Sequence, residues 1–277
     1  MDYAVLVASA VLYAVGIVAQ SVAARRAGNR PGAGLGLLAR LATDRLYLVG
    51  FAGQAGGFAL AFFARASLPL YLVQTASSSA IGLATVFGVV VLGWRIRAGE
   101  AATLVLLAFG LVVLAGSSAA SVATDLRPAG TATLAVVVLG IGLAMIPAAR
   151  SGTFLPAAVL SGVAFAVVAI ASRTLAHQDL LALPGNPLTW LMVVTAVLGQ
   201  ASMAVALQRG SAAAVVATAD ATTIVLASVT GITVLGDHVL GGRGPWVALG
   251  LAVVVGGVLL LGAQSRTGAA GLAREVA

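Results

Sequence analysis

Residues 211–235 read SAAAVVATADATTIVLASVTGITVL, twenty-five residues with one ionisable side chain, Asp220. A continuous apolar run of this length matches the roughly 20 residues that a helix needs to cross a bilayer. Backbone in hydrocarbon must satisfy its own hydrogen bonds, so such a run is a helix; alternation, the mark of a barrel strand, is absent. The same pattern recurs along the chain. Nine runs of this kind are expected, over 3–24, 46–64, 68–92, 101–117, 131–149, 154–174, 188–208, 211–235 and 245–263. The fold class is therefore all-α, a polytopic bundle of about nine membrane helices.

Composition agrees. Of 277 residues 61% are hydrophobic and 8% charged, with mean hydropathy +1.10. A soluble domain carries about 25% charge to face water. The net charge of +7 comes from 15 Arg and no Lys. They lie in ones and twos between apolar runs, without a basic stripe, so nucleic acid is not an expected partner. With no Cys there is neither disulfide nor thiolate chemistry. Only Asp2 precedes the first run, whereas a signal peptide begins with basic residues, so that run reads as a retained span.

Arginine placement gives an orientation. The connections after spans 1, 3, 5, 7 and 9 hold eleven Arg, and the N-terminus with the other four connections holds Arg65, Arg127, Arg173 and Arg243. Arginine gathers on the cytoplasmic side. A cell-membrane protein with its N-terminus outside and its C-terminus in the cytoplasm is expected, with the lipid bilayer as its first partner. The long connection 25–45 reads either as a surface helix around Arg40 or as a solvated basic loop.

The two halves resemble each other. Ser9, Tyr13, Gly16 and Gln20 in span 1 match the spacing of Ser161, Phe165, Val168 and Ser172 in span 6. Ala64-Arg65-Ala66-Ser67 leads into span 3, and Gln208-Arg209-Gly210-Ser211 leads into span 8; these spans close on Val91-Leu92-Gly93 and Val234-Leu235-Gly236. Spans 1–4 thus correspond to 6–9, and five crossings between mates make the repeat inverted. The expected organisation is a first repeat over 1–117, an outer linker 118–130, a second repeat over 131–265 and a cytoplasmic tail 266–277.

Val90-Val91-Leu92-Gly93 precedes Arg95, Arg97 and Glu100, with Gly110 and Gly116 beyond; Leu235-Gly236-Asp237 precedes Gly250, Gly256, Gly257 and Gly262. In these residues the chain resembles the drug/metabolite transporter superfamily (EamA-like), whose repeats end in a Leu-Gly-Glu-type turn and a glycine-containing helix. The resemblance implies a ten-helix inverted-repeat plan that here lacks its first helix. The run Phe62-Phe63-Ala64-Arg65-Ala66-Ser67-Leu68-Pro69-Leu70, with Leu72-Val73-Gln74, is similar to the nine-span NIPA-like magnesium transporter branch. Trp94 stands at the acidic position of the first turn, and Thr75 where the family commonly has Pro.

Chemistry is sparse. Asp220 lies about 14 Å into span 8 at 1.5 Å per residue, near the middle of a core about 30 Å thick. An acid there costs about 2.5–3.5 kcal/mol to insert, so it usually faces a cavity or a partner. It is the first candidate for a proton or cation site, with Thr223 one turn away; the bland alternative is a protonated Asp bonded to a neighbouring helix. Gln74, Ser78 and Thr85 share one face of span 3, as a pathway lining or as side chains bonded to their own carbonyls. Gln20, Gln200 and Tyr13 complete the candidate pathway. Gly53 and Gly57 mark a close helix contact, within the chain or at a homodimer seam. His177 and His238 flank Asp179 and Asp237 but no nucleophile motif, and no Walker motif occurs. No enzyme activity, cofactor or metal site is expected, apart from Asp220 if a cation is carried. The expected function is secondary transport of a small solute by alternating access, coupled to protons through Asp220. The alternatives are a magnesium or other cation transporter, and a non-transporting membrane partner or flippase component for a lipid-linked metabolite.

Overall fold

A computed structural model describes residues 2–28, 43–92, 98–119, 126, 128–207, 209 and 212–275. Nine long helices account for most of them: α1 (Asp2–Gly28), α2 (Arg45–Ala64), α3 (Leu70–Leu92), α4 (Ala98–Ser117), α5 (Pro128–Arg150), α6 (Leu155–Leu175), α7 (Pro187–Leu207), α8 (Ala212–Thr233) and α9 (Gly244–Glu275). A single 3-10 turn, Leu183–Gly185, precedes α7. No strand occurs among the described residues, only an isolated bridge between Ser118 and Val239. Seven helices, α1–α3 and α5–α8, are long and apolar enough to cross a membrane, as a membrane protein requires. In α4 and α9 the apolar stretches are shorter, Ala101–Ser117 and Gly244–Leu260.

The boundaries differ from expectation mainly at one end. α9 runs on to Glu275, into the segment 266–277 expected as a tail. Ala, Leu, Arg and Glu in that stretch are all good helix formers, and propensity continues where hydropathy stops. The possible surface helix around Arg40 and the first-repeat turn at Gly93 and Trp94 lie outside the described residues.

Contacts divide the chain into two units, one of residues 1–64 and 76–97, the other of 65–75 and 98–277. α4 belongs to the second unit, where it packs on α9. Within the first unit, α1 and α2 run antiparallel at very close range. A Cβ on Gly16 would lie 2.6 Å from the Gly50 carbonyl oxygen, and one on Gly50 would lie 2.8 Å from that of Gly16. Gln54 packs over Gly16, and Gln20 over Gly50. Two helices can touch along their backbones only where both lack side chains. Ser9 Oγ donates to the Gly57 carbonyl at 2.7 Å, and the Tyr13 ring lies against Gly57.

In the second unit α6 is the central helix, packed against α5, α7 and α8. Its C-terminal half is buried from Ala166 to Leu175 without a break. Six Ala, two Ser and one Gly among the 21 residues of α6 let neighbours approach closely. A Cβ on Gly162 would lie 2.5 Å from the Ala219 carbonyl oxygen of α8. Ser161 Oγ donates to the Gly199 carbonyl of α7 at 3.0 Å, and the Phe165 ring lies against Gly199. α4 and α9 cross antiparallel: Leu107 faces Gly257, Gly110 faces Val254, and Leu114 faces Gly250.

Candidate functional site

Asp220 sits on α8, whose two sides are unlike. Val225, Leu226, Val229 and Ile232 are exposed and form one arc. At 100° per residue Asp220 falls on the other side, among Thr223, Ile224, Ala227 and Gly231, all buried. It is itself half-buried. No hydrogen bond or ion pair joins its carboxylate to a described residue, although Thr223, Ile224, Ala227 and Gly231 on the same arc are buried. Thr223, one turn on, is already committed: its hydroxyl donates to the Gly162 carbonyl at 2.9 Å and shares the Ala219 carbonyl at 2.9 Å. It fixes α8 on α6 rather than solvating the acid.

α3 is also two-sided. Leu83, Val86 and Val90 are exposed, and Gln74, Ser78 and Thr85 lie on the opposite side, half-buried, buried and half-buried respectively. This is the polar face the spacing predicted. The other candidates are placed less favourably. Gln200 lies on the exposed flank of α7, off the buried face that carries Thr195, Gly199 and Ser202. Gln20 and Tyr13 are spent on the α1–α2 contact, over Gly50 and Gly57. That contact is inside the chain, so Gly53 and Gly57 are filled by α1 and are not open for a dimer seam.

The sequence reading missed a buried polar cluster in the second unit. Arg173, in the last turn of α6, and Asp237, just beyond α8, form an ion pair of 2.8 Å with both side chains fully buried. Asp237 Oδ2 also accepts the backbone N–H of Leu70 at 2.6 Å, which is the first residue of α3. Arg173 Nη1 donates to the carbonyl of Arg65, itself buried. The sequence treats all three as charges at span ends, where Arg and Asp normally meet headgroups and water. One signal was present: Gly236 adopts φ 71°, a conformation for which glycine is suited, and it turns Asp237 back under α8. A Cβ on Gly231 would lie 2.5 Å from Asp237 Oδ2, so that position must also be bare.

Other arginines close helix ends. Arg209 donates to the Ala148 carbonyl at 2.8 Å and to that of Ala149 in the last turn of α5. Arg243 donates to the Gly116 carbonyl at the end of α4. Terminal carbonyls lack intrahelical donors, and a cation there also meets the negative end of the helix dipole. Trp190 and Trp246 are exposed in the first turns of α7 and α9, where aromatic side chains suit a bilayer interface.

Among the described residues no three of His, Cys, Asp and Glu come together as metal donors would. Compared with family models, with curated proteins and with solved structures, the chain matches none.

Proposed function

We propose that this chain is a secondary transporter of a small solute, working by alternating access with Asp220 as its proton or cation site. In this reading all nine helices cross the bilayer, with the N-terminus outside and two inverted repeats of the drug/metabolite transporter type. The observation that carries it is Asp220 itself, a partly accessible carboxylate with no hydrogen-bond or ion-pair partner among the described residues, on the packed side of a membrane helix. A charge in that position needs a proton, a cation or a substrate to neutralise it. A carboxylate that served as structural glue would already hold a neighbour.

Paired contacts support the repeat. Ser9 bonds Gly57 with Tyr13 against it, and Ser161 bonds Gly199 with Phe165 against it. Ser9 with Ser161, and Tyr13 with Phe165, are the mates expected from spacing in spans 1 and 6. The mates α4 and α9 cross antiparallel, each offering a glycine to an aliphatic side chain of the other, as inverted copies around a shared axis would.

The test begins with a thermal-stability screen of purified protein against magnesium, amino acids, nucleosides, cationic drugs and polyprenyl phosphates. Uptake of the stabilising solute into proteoliposomes under an imposed pH gradient then compares native protein with Asp220→Asn. Gradient-driven uptake is expected in the native protein and background uptake in the variant. Undiminished, still gradient-driven uptake by the variant would remove Asp220 from the mechanism. No uptake of any stabilising solute by native protein would remove transport itself.

A further inference from the structure

The buried pair Arg173–Asp237 fastens one connection at both ends. Asp237 Oδ2 holds the Leu70 N–H, where α3 begins, and Arg173 Nη1 holds the Arg65 carbonyl, just after α2 ends. Asp237 lies on a non-helical stretch, 234–243, that contains two glycines of positive φ, Gly236 and Gly242. Bonds that join this stretch to the end of α4 include Ala119 N–H to the His238 carbonyl at 3.4 Å, Leu240 N–H to the Ser117 carbonyl at 3.1 Å, and the Arg243 contact with Gly116. So one short strap joins the ends of α4, α6 and α8 to the first turn of α3.

A fully buried ion pair is a poor source of net stability, because apolar side chains of similar size often do as well or better. It does provide a contact with two discrete states, made or broken. The group it controls is the N–H that opens α3, the helix that carries Gln74 one turn further on. Helix N-termini are held by acceptors of this kind, and losing one loosens the first turn.

We propose that Asp237 is the positioning residue of α3, and that strap 234–243 is a catch whose release from α4 frees Asp237, and with it the first turn of α3. This rests on the transport reading for its purpose, since a pathway helix must be both held and let go. The catch itself is testable without a solute.

The chain contains no Cys, so an introduced pair reacts only with itself. Ser118 and Val239 are antiparallel bridge partners flanked by the bonds at 119 and 240. Such a pair lies about 4.5 Å apart at Cα, within disulfide reach. Full-length Ser118→Cys/Val239→Cys protein in lipid nanodiscs is compared, oxidised and reduced, by hydrogen–deuterium exchange. Oxidation is expected to slow exchange over residues 68–73 about tenfold or more, with the α6–α7 contact around Ser161 and Gly199 unchanged. Equal exchange in the two states, or slowing spread evenly over the chain, would overturn the catch. Asp237→Asn gives a second arm that needs no cross-link, with about tenfold faster exchange expected at 68–73 and none of that change around Ser161. Unaltered exchange at 68–73 in that variant would overturn the positioning role. A working catch in a protein that moves no solute would count against transport and leave the catch standing.

Discussion

Gly57 and Gly199 each accept a serine hydroxyl on the carbonyl and an aromatic ring on the bare Cα. A methyl group at Gly57 would lie 2.9 Å from the Tyr13 ring, so Gly57→Ala should lower stability by about 1–3 kcal/mol through overpacking. Gly140 has open space where a Cβ would stand. Gly140→Ala should raise stability by about 0.5–1 kcal/mol, the ordinary helix preference. Denaturant unfolding in detergent would check both signs, and equal effects would mean that packing at Gly57 is looser than described. Arg173→Ala strands a buried carboxylate and should cost about 3–5 kcal/mol; a loss below about 1 kcal/mol, the range of an exposed pair, would mean water reaches Asp237. Asp220 was legible in the sequence because an acid inside an apolar run has no ordinary explanation. Arg173 was not, since an arginine at a span end looks the same whether it meets headgroups or a carboxylate from a distant part of the chain.

At the scale of elements, the helices were legible because about 20 apolar residues leave the backbone one solution. Their partners were half legible. The spacing of Ser9 and Tyr13 with Ser161 and Phe165 suggested a shared role, and both serines do reach a glycine of the next helix. Ser9→Ala and Ser161→Ala should each cost about 0.6–1.7 kcal/mol, the range for interhelical bonds in membranes, measured as a shift in unfolding midpoint. If only one variant weakens the protein, the two contacts are not equivalent. The packing of α4 on α9 rests on the register of Gly110, Gly250 and Gly257 against Leu107, Leu114 and Val254, which glycine content alone does not specify. The strap was illegible: ten residues between spans look like any loop, and their meaning depends on Ser117, Arg173 and Leu70 being brought beside them.

For the whole molecule, the count of arginines predicts the orientation proposed above, N-terminus outside. Single cysteines in this Cys-free chain make it measurable. Asp2→Cys should react with a membrane-impermeant maleimide on intact cells, and Gly271→Cys only after the cells are opened. Labelling of both from outside would break the nine-crossing topology, because an odd number of crossings puts the ends on opposite sides.

The Arg173–Asp237 pair also sets a problem of order during synthesis. Its members are 64 residues apart, so at about 5–20 residues per second Arg173 leaves the ribosome some 3–13 seconds before its carboxylate exists. During that interval α6 carries an unmatched cation at its end while α7 and α8 are being made. The guanidinium must wait at the lipid headgroups, on a long side chain able to reach them, and descend into the protein only when Asp237 arrives. Assembly of the second unit is therefore completed from its late end backward, and a nascent chain halted before Asp237 should hold α6 at a shallower depth than the finished protein does.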